Sequence, residues 1–364
     1  MINVSRLYCG IENSSDRFRY QADRPMGAIA VYNCTNKCGQ KCLHCYSRAG
    51  DIPGELDTNQ AKRLLDNLAE IKCGVVLFSG GEPMERADIF ELLKYTNHIG
   101  LRTAISSNGN LITASMAKKI ADAGVSYVGI SIDGMRETHD KFRGIAGSFD
   151  GAISGIKACK DIGVKAGIRF TMTNRNFNQI NEIFSIAEEL GIARVCFYHL
   201  ISAGRAVDND LKCSEEQVRS ALNDILTNAK QFSSKGVTEV LTVGNHADGA
   251  FILNRLRQEG SDLYEKTYDL LQKFGGNKIG TKIFAVDAEG NVHPDQFWRD
   301  FTMGNIVRQN LREILGKYFD IFNDKMKFLE EGVKCKECKW LKICGTNMRN
   351  GKLEPECYLD DEEI

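Results

Sequence analysis

The chain has no excess of charge of either sign, no basic tract and no long hydrophobic run. The positive charge of its 47 lysines and arginines nearly cancels the negative charge of its 48 aspartates and glutamates. The composition therefore does not favour a nucleic acid as its partner. No apolar stretch approaches the roughly 20 residues of a membrane span, and the start, Met1-Ile-Asn-Val-Ser-Arg, lacks the apolar region of a signal peptide. These absences predict a cytoplasmic protein that binds neither nucleic acid nor membrane.

Cysteine, by contrast, is abundant. The chain has 13 cysteines among 364 residues, and seven of them fall in two tight sets. Disulfides would explain many cysteines in a small secreted protein. In a large chain without a signal sequence, clustered cysteines favour metal ligation in a reducing compartment.

The first cysteine set is Cys38, Cys42 and Cys45, at C-x3-C-x2-C spacing after the apolar run from Ala28 to Val31. Thiolates are the ligands that iron–sulfur clusters take, and three of them leave one iron of a four-iron cluster without a protein ligand. An open metal position indicates chemistry rather than a structural role, so these three cysteines are predicted to be catalytic ligands. From the spacing alone, a three-thiolate zinc site or cysteines buried at a strand end are alternatives.

Short β-branched or aromatic runs alternate with amphipathic helices between residues 26 and 200, which is typical of βαβ units. Six strands are too few for a closed eight-stranded barrel, so the predicted fold is α/β, a partial (β/α)6 TIM-like barrel. Thr58 is the predicted N-cap of the first helix. Three later helices are predicted to end at left-handed glycines, Gly124, Gly163 and Gly191.

Three regions are predicted along the chain. Residues 1–25 form a lead-in segment, residues 26–210 form the partial barrel, and residues 211–364 form a helical linker and a small α+β module rich in cysteine. Within the third region, residues up to 275 are predicted to be mostly helical. A β-hairpin is predicted from Ile279 to Val286 and from Asn291 to His293.

Glycines and short polar residues follow three of the predicted strands. These runs are Ser79-Gly80-Gly81-Glu82-Pro83, Ser107-Asn108-Gly109 and Ser131-Ile132-Asp133-Gly134. In a barrel, the loops at the carboxyl ends of the strands form the site, and adjacent glycines let backbone approach a ligand closely. Each run alone fits a strand-end turn equally well, but their common location favours a ligand site.

The cysteine spacing, the six βα units and the glycine run together resemble the radical S-adenosylmethionine (SAM) superfamily. The resemblance implies a [4Fe–4S] cluster on the first cysteine set, with SAM on the open iron, and cleavage of SAM to a 5′-deoxyadenosyl radical. The SAM contacts that it implies are Gly80, Gly81, Glu82 and Pro83 for the amino group, Ser107, Asn108, Ser131 and Asp133 for the ribose, Arg143 for the carboxylate, and His44 for the adenine. A structural role is the alternative for His44, and Arg169 is interpreted as part of a barrel ion pair.

The second cysteine set is Cys335, Cys338, Cys344 and Cys357. Four thiols would saturate a second four-iron cluster, and a four-cysteine zinc site is the alternative. Beside the first cysteine set, this spacing resembles the auxiliary-cluster modules known as SPASM and twitch. The number of cysteines implies one auxiliary [4Fe–4S] cluster.

Several stretches resemble one group in the superfamily, which contains 12,18-didecarboxysirohaem deacetylase and its relative in haem d1 biosynthesis. These stretches are Val4 to Gly10, Arg17 to Tyr20, Phe197 to Arg205, His293 to Trp298 and Cys338 to Leu359. Enzymes of that group remove side chains from an iron tetrapyrrole, so the resemblance implies a tetrapyrrole substrate and an electron donor such as flavodoxin or ferredoxin. The predicted substrate contacts are His199, Arg205, Asp295, Gln296 and Arg349.

The chain departs from the group's pattern within the first cysteine set, where Gly39-Gln40 stands in place of the expected Asn-Leu. Peptide maturases share the two-cluster layout and are the rival enzymatic interpretation. A zinc-stabilised binding module on a TIM-like scaffold is the non-enzymatic one.

Overall fold

The computed structural model describes residues 1–12, 20, 27–50, 54–324, 334–346 and 357–364. Eleven strands are described: β1 (Ile2–Asn3), β2 (Ile29–Thr35), β3 (Val75–Gly80), β4 (Thr103–Ser107), β5 (Tyr127–Ser131), β6 (Ala166–Met172), β7 (Arg194–His199), β8 (Glu239–Val243), β9 (Ile283–Val286), β10 (Asn291–His293) and β11 (Gly304–Asn305). They form one sheet in the order β1-β8-β7-β6-β5-β4-β3-β2-β9-β10-β11.

The strands from β2 to β8 are parallel neighbours in chain order, and β9 pairs in parallel with the other side of β2. Three short strands, β1, β10 and β11, pair antiparallel at the two ends of the sheet. No ladder joins β8 to β2 in the described part of the chain. The predicted α/β class, with a parallel sheet that hydrogen bonds do not close, is therefore confirmed.

Thirteen α-helices are described: α1 (Val4–Leu7), α2 (Thr58–Glu70), α3 (Ile89–His98), α4 (Ala114–Asp122), α5 (Arg136–Arg143), α6 (Ser148–Asp161), α7 (Ile180–Glu189), α8 (Arg205–Asp208), α9 (Glu215–Ser233), α10 (Ala247–Gln258), α11 (Tyr264–Phe274), α12 (Leu311–Asn323) and α13 (Leu341–Cys344). No helix among the described residues is both long enough and apolar enough to cross a membrane.

The helices follow from local signals in the sequence. In α2 the buried positions are Ala61, Leu64, Leu65 and Leu68, one face of a helix. Asp57, and not Thr58, is the N-cap: its carboxylate accepts from the Gln60 amide, and the Gln60 side chain accepts from the Asp57 amide. The prediction was therefore wrong by one residue, and Thr58 instead donates its hydroxyl to Asp88 at 2.7 Å.

The three glycines predicted to end helices have φ values of +72°, +80° and +61° at Gly124, Gly163 and Gly191. This left-handed conformation is strained for a residue with a Cβ, so the prediction is confirmed. The predicted hairpin is also confirmed, because Val292 pairs antiparallel with Val286.

The prediction missed β8, the seventh strand of the parallel run that begins at β2. β8 lies in the segment predicted to be mostly helical and extends the parallel sheet beyond residue 210. Its residues, Glu239 to Val243, follow Gly236, whose φ is +99°, in the same glycine-then-strand pattern as the earlier units. The lead-in segment joins this part of the sheet, because β1 pairs with β8.

The core lies where the parallel strands pack against the helices. Alternate residues along a strand are fully buried, as at Val76 and Phe78, or Ile168 and Phe170. The rings of Phe170, Phe197 and Phe184 pack in sequence from β6 through β7 to α7, with centroids 5.8 and 5.4 Å apart. This rigid layer holds the strand ends, where the polar residues lie.

Candidate active site

The carboxyl ends of β2 to β7 meet at one edge of the sheet and line a cleft with an empty volume of about 930 Å³. The predicted site residues that line it are Cys38, Cys42, His44, Cys45, Gly80, Gly81, Ser107, Asn108, Ser131, Arg143, His199, Arg205 and Gln296. Glu82, Pro83, Asp133 and Asp295 do not line it, and Arg349 lies outside the described residues. Residues from six strand ends and from the hairpin segment thus converge on one site.

The loop that carries the first cysteine set is fastened on both sides. Two backbone amides of this loop donate to carbonyls in the C-terminal turn of α5. The Lys41 amide donates to the Arg143 carbonyl at 3.2 Å, and the Leu43 amide donates to the Phe142 carbonyl at 2.9 Å. On the other side, Arg205 donates from Nε to the Cys42 carbonyl at 2.8 Å and from Nη1 to the Ala49 carbonyl at 3.3 Å. The predicted substrate contact Arg205 therefore also braces the cysteine loop.

The three thiols of the first cysteine set are free and line the same cleft. Cys42 is buried, whereas Cys38 and Cys45 are partly exposed. Burial raises the pKa of Cys38 to about 12 and raises that of Cys42, so a bound metal would have to drive deprotonation, as coordination does. Three free thiols facing one cavity fit a cluster that is held at three corners.

The glycine pair at the end of β3 lies against the cysteine loop. The amide of Gly81 donates to the Thr35 carbonyl at 2.8 Å, and that of Glu82 donates to the Lys37 carbonyl at 2.7 Å. A Cβ on Gly81 would overlap the Lys37 carbonyl oxygen and lie 2.7 Å from its carbon. The two loops can therefore meet only because this position has no side chain.

We expect Gly81→Ala to destabilise the fold by about 1–3 kcal/mol, the usual cost of overpacking, and to weaken SAM binding at least tenfold. Thermal unfolding and equilibrium dialysis with SAM measure the two effects. Gly50→Ala is the control, because Gly50 lies in the neighbouring loop that carries the first cysteine set and its added Cβ would meet open space. Equal SAM affinity in the two variants would contradict this interpretation of the glycine pair.

Glu82 links the ends of β3 and β4 behind the cleft. Its carboxylate is fully buried and accepts from the Ser107 hydroxyl at 2.8 Å and from the Asn108 amide at 2.7 Å. Burial raises its pKa to about 7, against the lowering effect of these hydrogen bonds. In this structure its side chain positions two other residues predicted to bind SAM.

Asp133 and Arg143 form a buried ion pair beside the first cysteine set. Burial raises the pKa of Asp133, but the charge of Arg143, the neighbouring histidines and the hydrogen bond from the Thr171 amide together hold that pKa below its usual range. Arg143 Nη1 also donates to Cys42 Sγ at 3.6 Å. His44 lies 3.9 Å from the same carboxylate, and burial lowers its pKa to about 4, so the ring is neutral.

Arg169, in the middle of β6, is an arginine whose surroundings differ from the sequence prediction. It lines the cleft and stacks on the Tyr198 ring, with its guanidinium carbon 4.5 Å from the ring centroid. No ion pair of Arg169 occurs among the described residues, so its assignment to a barrel ion pair was wrong. Gly129 makes room for it, because a Cβ there would lie 2.6 Å from Arg169 Cδ. A charged residue inside an otherwise apolar strand, two residues before Thr171, was the available signal.

His199 ends β7 and belongs to a buried hydrogen-bonded triad. Its Nε2 lies 2.9 Å from Asp248 Oδ2, and the Tyr358 hydroxyl donates to Asp248 Oδ1 at 2.6 Å. The His199 and Tyr358 rings are stacked with centroids 6.1 Å apart. Asp248 is fully buried, and a buried carboxylate needs such partners. Sequence reasoning missed Asp248 and Tyr358, since neither belongs to a local pattern.

A second cleft, with an empty volume of about 600 Å³, adjoins His199 from the other side. It is lined by Met172, His199, Leu200, Lys212, Cys213, Glu215, Val218, Asn245, Cys357 and Tyr358. His199 lines both clefts. The end of β7 is therefore the partition between the first cysteine set and one member of the second.

The second cysteine set is held by α13 and its neighbours. The Asn277 amide donates to the Cys344 carbonyl at 2.9 Å, and Trp340 Nε1 donates to the Glu363 carbonyl at 2.6 Å. Burial, with a smaller contribution from the neighbouring Cys357 and Cys338, raises the pKa of Cys335 to about 11. All four thiols are free. Within the described residues, no three His, Cys, Asp or Glu side chains are placed to hold a single metal ion.

Asp295 stabilises the turn after β10 and does not line the cleft. It is buried, and its carboxylate accepts from the amides of Phe297 and Trp298 at 2.9 and 2.8 Å. Its neighbour Gln296 lines the cleft, as does Phe297. The hairpin segment thus presents an amide and an aromatic ring to the site, with Asp295 shaping the turn behind them.

Comparison with known proteins agrees with this geometry. The family model described as the radical SAM superfamily matches residues 32–187. The chain is 41% identical to an Fe-coproporphyrin III synthase of Methanosarcina barkeri, over all of this chain and 99% of that protein. It is 32% identical to a pre-heme d1 synthase of Dinoroseobacter shibae, over 92% of this chain and 87% of that protein.

Among solved structures, the fold is similar to that of SuiB from Streptococcus suis bound to its precursor peptide SuiA. The TM-score is 0.70 at 19% identity, over 92% of this chain and 75% of that one. This likeness concerns the fold. Taken with the full-length relatives and the three-cysteine cleft, it leads to one conclusion: the chain is an enzyme that belongs to the radical SAM superfamily, whose members use a [4Fe–4S] cluster and SAM.

Proposed function

We propose that this enzyme modifies a side chain of an iron tetrapyrrole in haem or haem d1 type biosynthesis, with loss of an acetate or propionate group. The observation that carries the proposal is the 41% identity to an Fe-coproporphyrin III synthase along the whole chain. When bound, the reduced cluster and SAM would supply the 5′-deoxyadenosyl radical that abstracts hydrogen from the substrate.

The residues of the chain would bind and orient both molecules. Cys38, Cys42 and Cys45 would hold the cluster, and the strand-end residues from Gly80 to Ser131 would hold SAM. A tetrapyrrole needs aromatic contact and partners for its carboxylates. Tyr198 and Phe297 line the cleft and would supply the rings, and Arg169, which stacks on Tyr198, would supply a cation.

The second cysteine set would hold one auxiliary [4Fe–4S] cluster in a SPASM or twitch type module. What supports this is the number of free thiols in the second cysteine set and the place of one of them, Cys357, in the lining of the second cleft. That cluster would relay an electron or help to position the substrate. A flavodoxin or ferredoxin would supply the electron for SAM cleavage.

The test is anaerobic reconstitution followed by addition of iron tetrapyrroles that carry acetate side chains. We expect about eight iron atoms per chain, four for each cluster, a visible difference spectrum on tetrapyrrole binding, and a product lighter by the lost group. Zinc at both sites and no iron would favour the non-enzymatic binding module. SAM cleavage with a precursor peptide, and no spectral response to tetrapyrrole, would favour a peptide maturase.

We expect Arg169→Met to weaken binding of a carboxylate ligand about tenfold or more, because hydrogen bonds to a charged group contribute about 1.5–3 kcal/mol. Separate dissociation constants for SAM and for the tetrapyrrole identify which molecule supplies the carboxylate. Arg102→Met is the control, since Arg102 is exposed and lines neither cleft. Unchanged affinity for both ligands would show that Arg169 has another task.

A further inference from the structure

A line of buried hydrogen-bonding groups runs from the end of β5 to the first cysteine set. The Asp133 amide lies 3.0 Å from His139 Nδ1, and His139 Nε2 lies 3.2 Å from Ser148 Oγ. Ser148 Oγ lies 2.8 Å from the Gln40 side-chain amide, whose other end lies 3.6 Å from Cys42 Sγ. All four side chains are buried, with exposed fractions from 0% at Ser148 to 7% at Cys42.

The direction of these hydrogen bonds is fixed at the Asp133 end. A backbone amide can only donate, so His139 Nδ1 accepts and the ring proton lies on Nε2. Burial lowers the pKa of His139 to about 4, which keeps the ring neutral with this single proton. Nε2 therefore donates to the Ser148 hydroxyl.

The direction is fixed at the other end as well. An iron ligand is a thiolate, so Cys42 Sγ can only accept. As placed, Gln40 has Nε2 toward Ser148 and Oε1 toward Cys42. That orientation directs an oxygen at a thiolate. In that orientation both Gln40 Nε2 and His139 Nε2 donate to Ser148 Oγ. The hydrogen of the Ser148 hydroxyl then has no acceptor in this line of groups.

Turning the Gln40 amide over satisfies every group in the line. Its oxygen then accepts from the Ser148 hydroxyl, and its nitrogen donates to the Cys42 thiolate. The two amide ends have nearly the same shape, so the hydrogen-bond network decides between them. Because buried polar groups are costly to leave unpaired, the cluster-bound protein takes the turned orientation.

We propose that Gln40 is a positioning residue that donates to the Cys42 thiolate and raises the reduction potential of the first cluster, with His139 and Ser148 holding its amide in place. Reduction adds negative charge to the cluster, so a donor at a ligand sulfur stabilises the reduced form more than the oxidised one. The leucine of the group's pattern has no donor. The inference rests on the cluster of the superfamily and is independent of the proposed substrate.

The test is a redox titration of the reconstituted full-length protein followed by electron paramagnetic resonance. The signal of the first cluster is identified by its change when SAM is added. Gln40→Leu, with unchanged iron content, is expected to shift the midpoint potential of that signal to a more negative value. Ser148→Ala is expected to shift it in the same direction by less, since Gln40 remains beside Cys42 and can still donate to the thiolate in one of its two amide orientations.

Gln272→Leu, on the exposed face of α11, is the matched control and should leave the potential unchanged. A potential in Gln40→Leu that equals or exceeds that of the wild type would overturn the proposal. If Gln40→Leu does not retain iron, Ser148→Ala decides, because Ser148 does not contact the cysteines, and an unchanged potential there overturns it. Absence of any SAM-responsive signal in the wild type would instead contradict the cluster itself.

Discussion

Replacement of Cys38, Cys42 and Cys45 by alanine is expected to abolish 5′-deoxyadenosine formation and to lower the iron content from about eight atoms to about four. The reason is that these three thiols line the cleft beside the glycine pair, whereas no member of the second cysteine set lines that cleft among the described residues. Loss of the first cluster therefore removes the site of SAM cleavage and leaves the second cysteine set intact.

The measurement is product analysis under strong reductant, together with iron determination on the same anaerobic samples. Cys9→Ala is the control, because Cys9 is a partly buried cysteine that lines neither cleft. It should retain both the iron and the product. Continued formation of 5′-deoxyadenosine by the triple variant would remove the basis for assigning the first cluster.

Asp248→Asn is expected to lower turnover of the tetrapyrrole about 10²-fold, because misplacement of a residue in the site has effects of that size. SAM cleavage is expected to continue, but without formation of the tetrapyrrole product. The carboxylate offers one oxygen to His199 Nε2 and the other to the Tyr358 hydroxyl. An amide offers a single acceptor to the same two donors. Either His199 turns away from its place in the cleft or Tyr358 loses its partner, at a cost of about 1–3 kcal/mol.

The ratio of 5′-deoxyadenosine to tetrapyrrole product measures this effect. Asp269→Asn, on the exposed face of α11, is the matched control and should leave the ratio unchanged. Tyr358→Phe leaves the His199 contact in place and should have a smaller effect. Normal coupling in Asp248→Asn would show that His199 does not need this anchor.

The sequence predicted those features that depend on short stretches of chain. Each of the strands from β2 to β7 coincides with a β-branched or aromatic run, and the glycine at each of three helix ends is left-handed. The cysteines, the glycine pair and the strand-end serines line one cleft, because parallel strands bring their carboxyl ends to one edge. These predictions needed only local periodicity and one rule of topology.

The features that were missed depend on pairs of residues far apart in sequence. Gln40 and Ser148 are separated by 108 residues, and Asp248 and Tyr358 by 110. No local pattern specifies such partners, since each residue by itself reads as an ordinary polar residue of a loop or helix. Arg143 and Arg169 show the same limit: the structure pairs Arg143 with Asp133 and leaves Arg169 facing the cleft.

The triad of His199, Asp248 and Tyr358 also has a consequence for the order of events during synthesis. The parallel strands from β2 to β8 have all been made by Val243, whereas Tyr358 is added 110 residues after Asp248. At translation rates of about 5–20 residues per second, that delay is on the order of 5–20 seconds. In a nascent chain that has already paired the strands from β2 to β8, Asp248 has His199 as a partner but not yet Tyr358. The contacts that fasten the loop of the first cysteine set to α5 and to Arg205 can therefore form before this triad is complete.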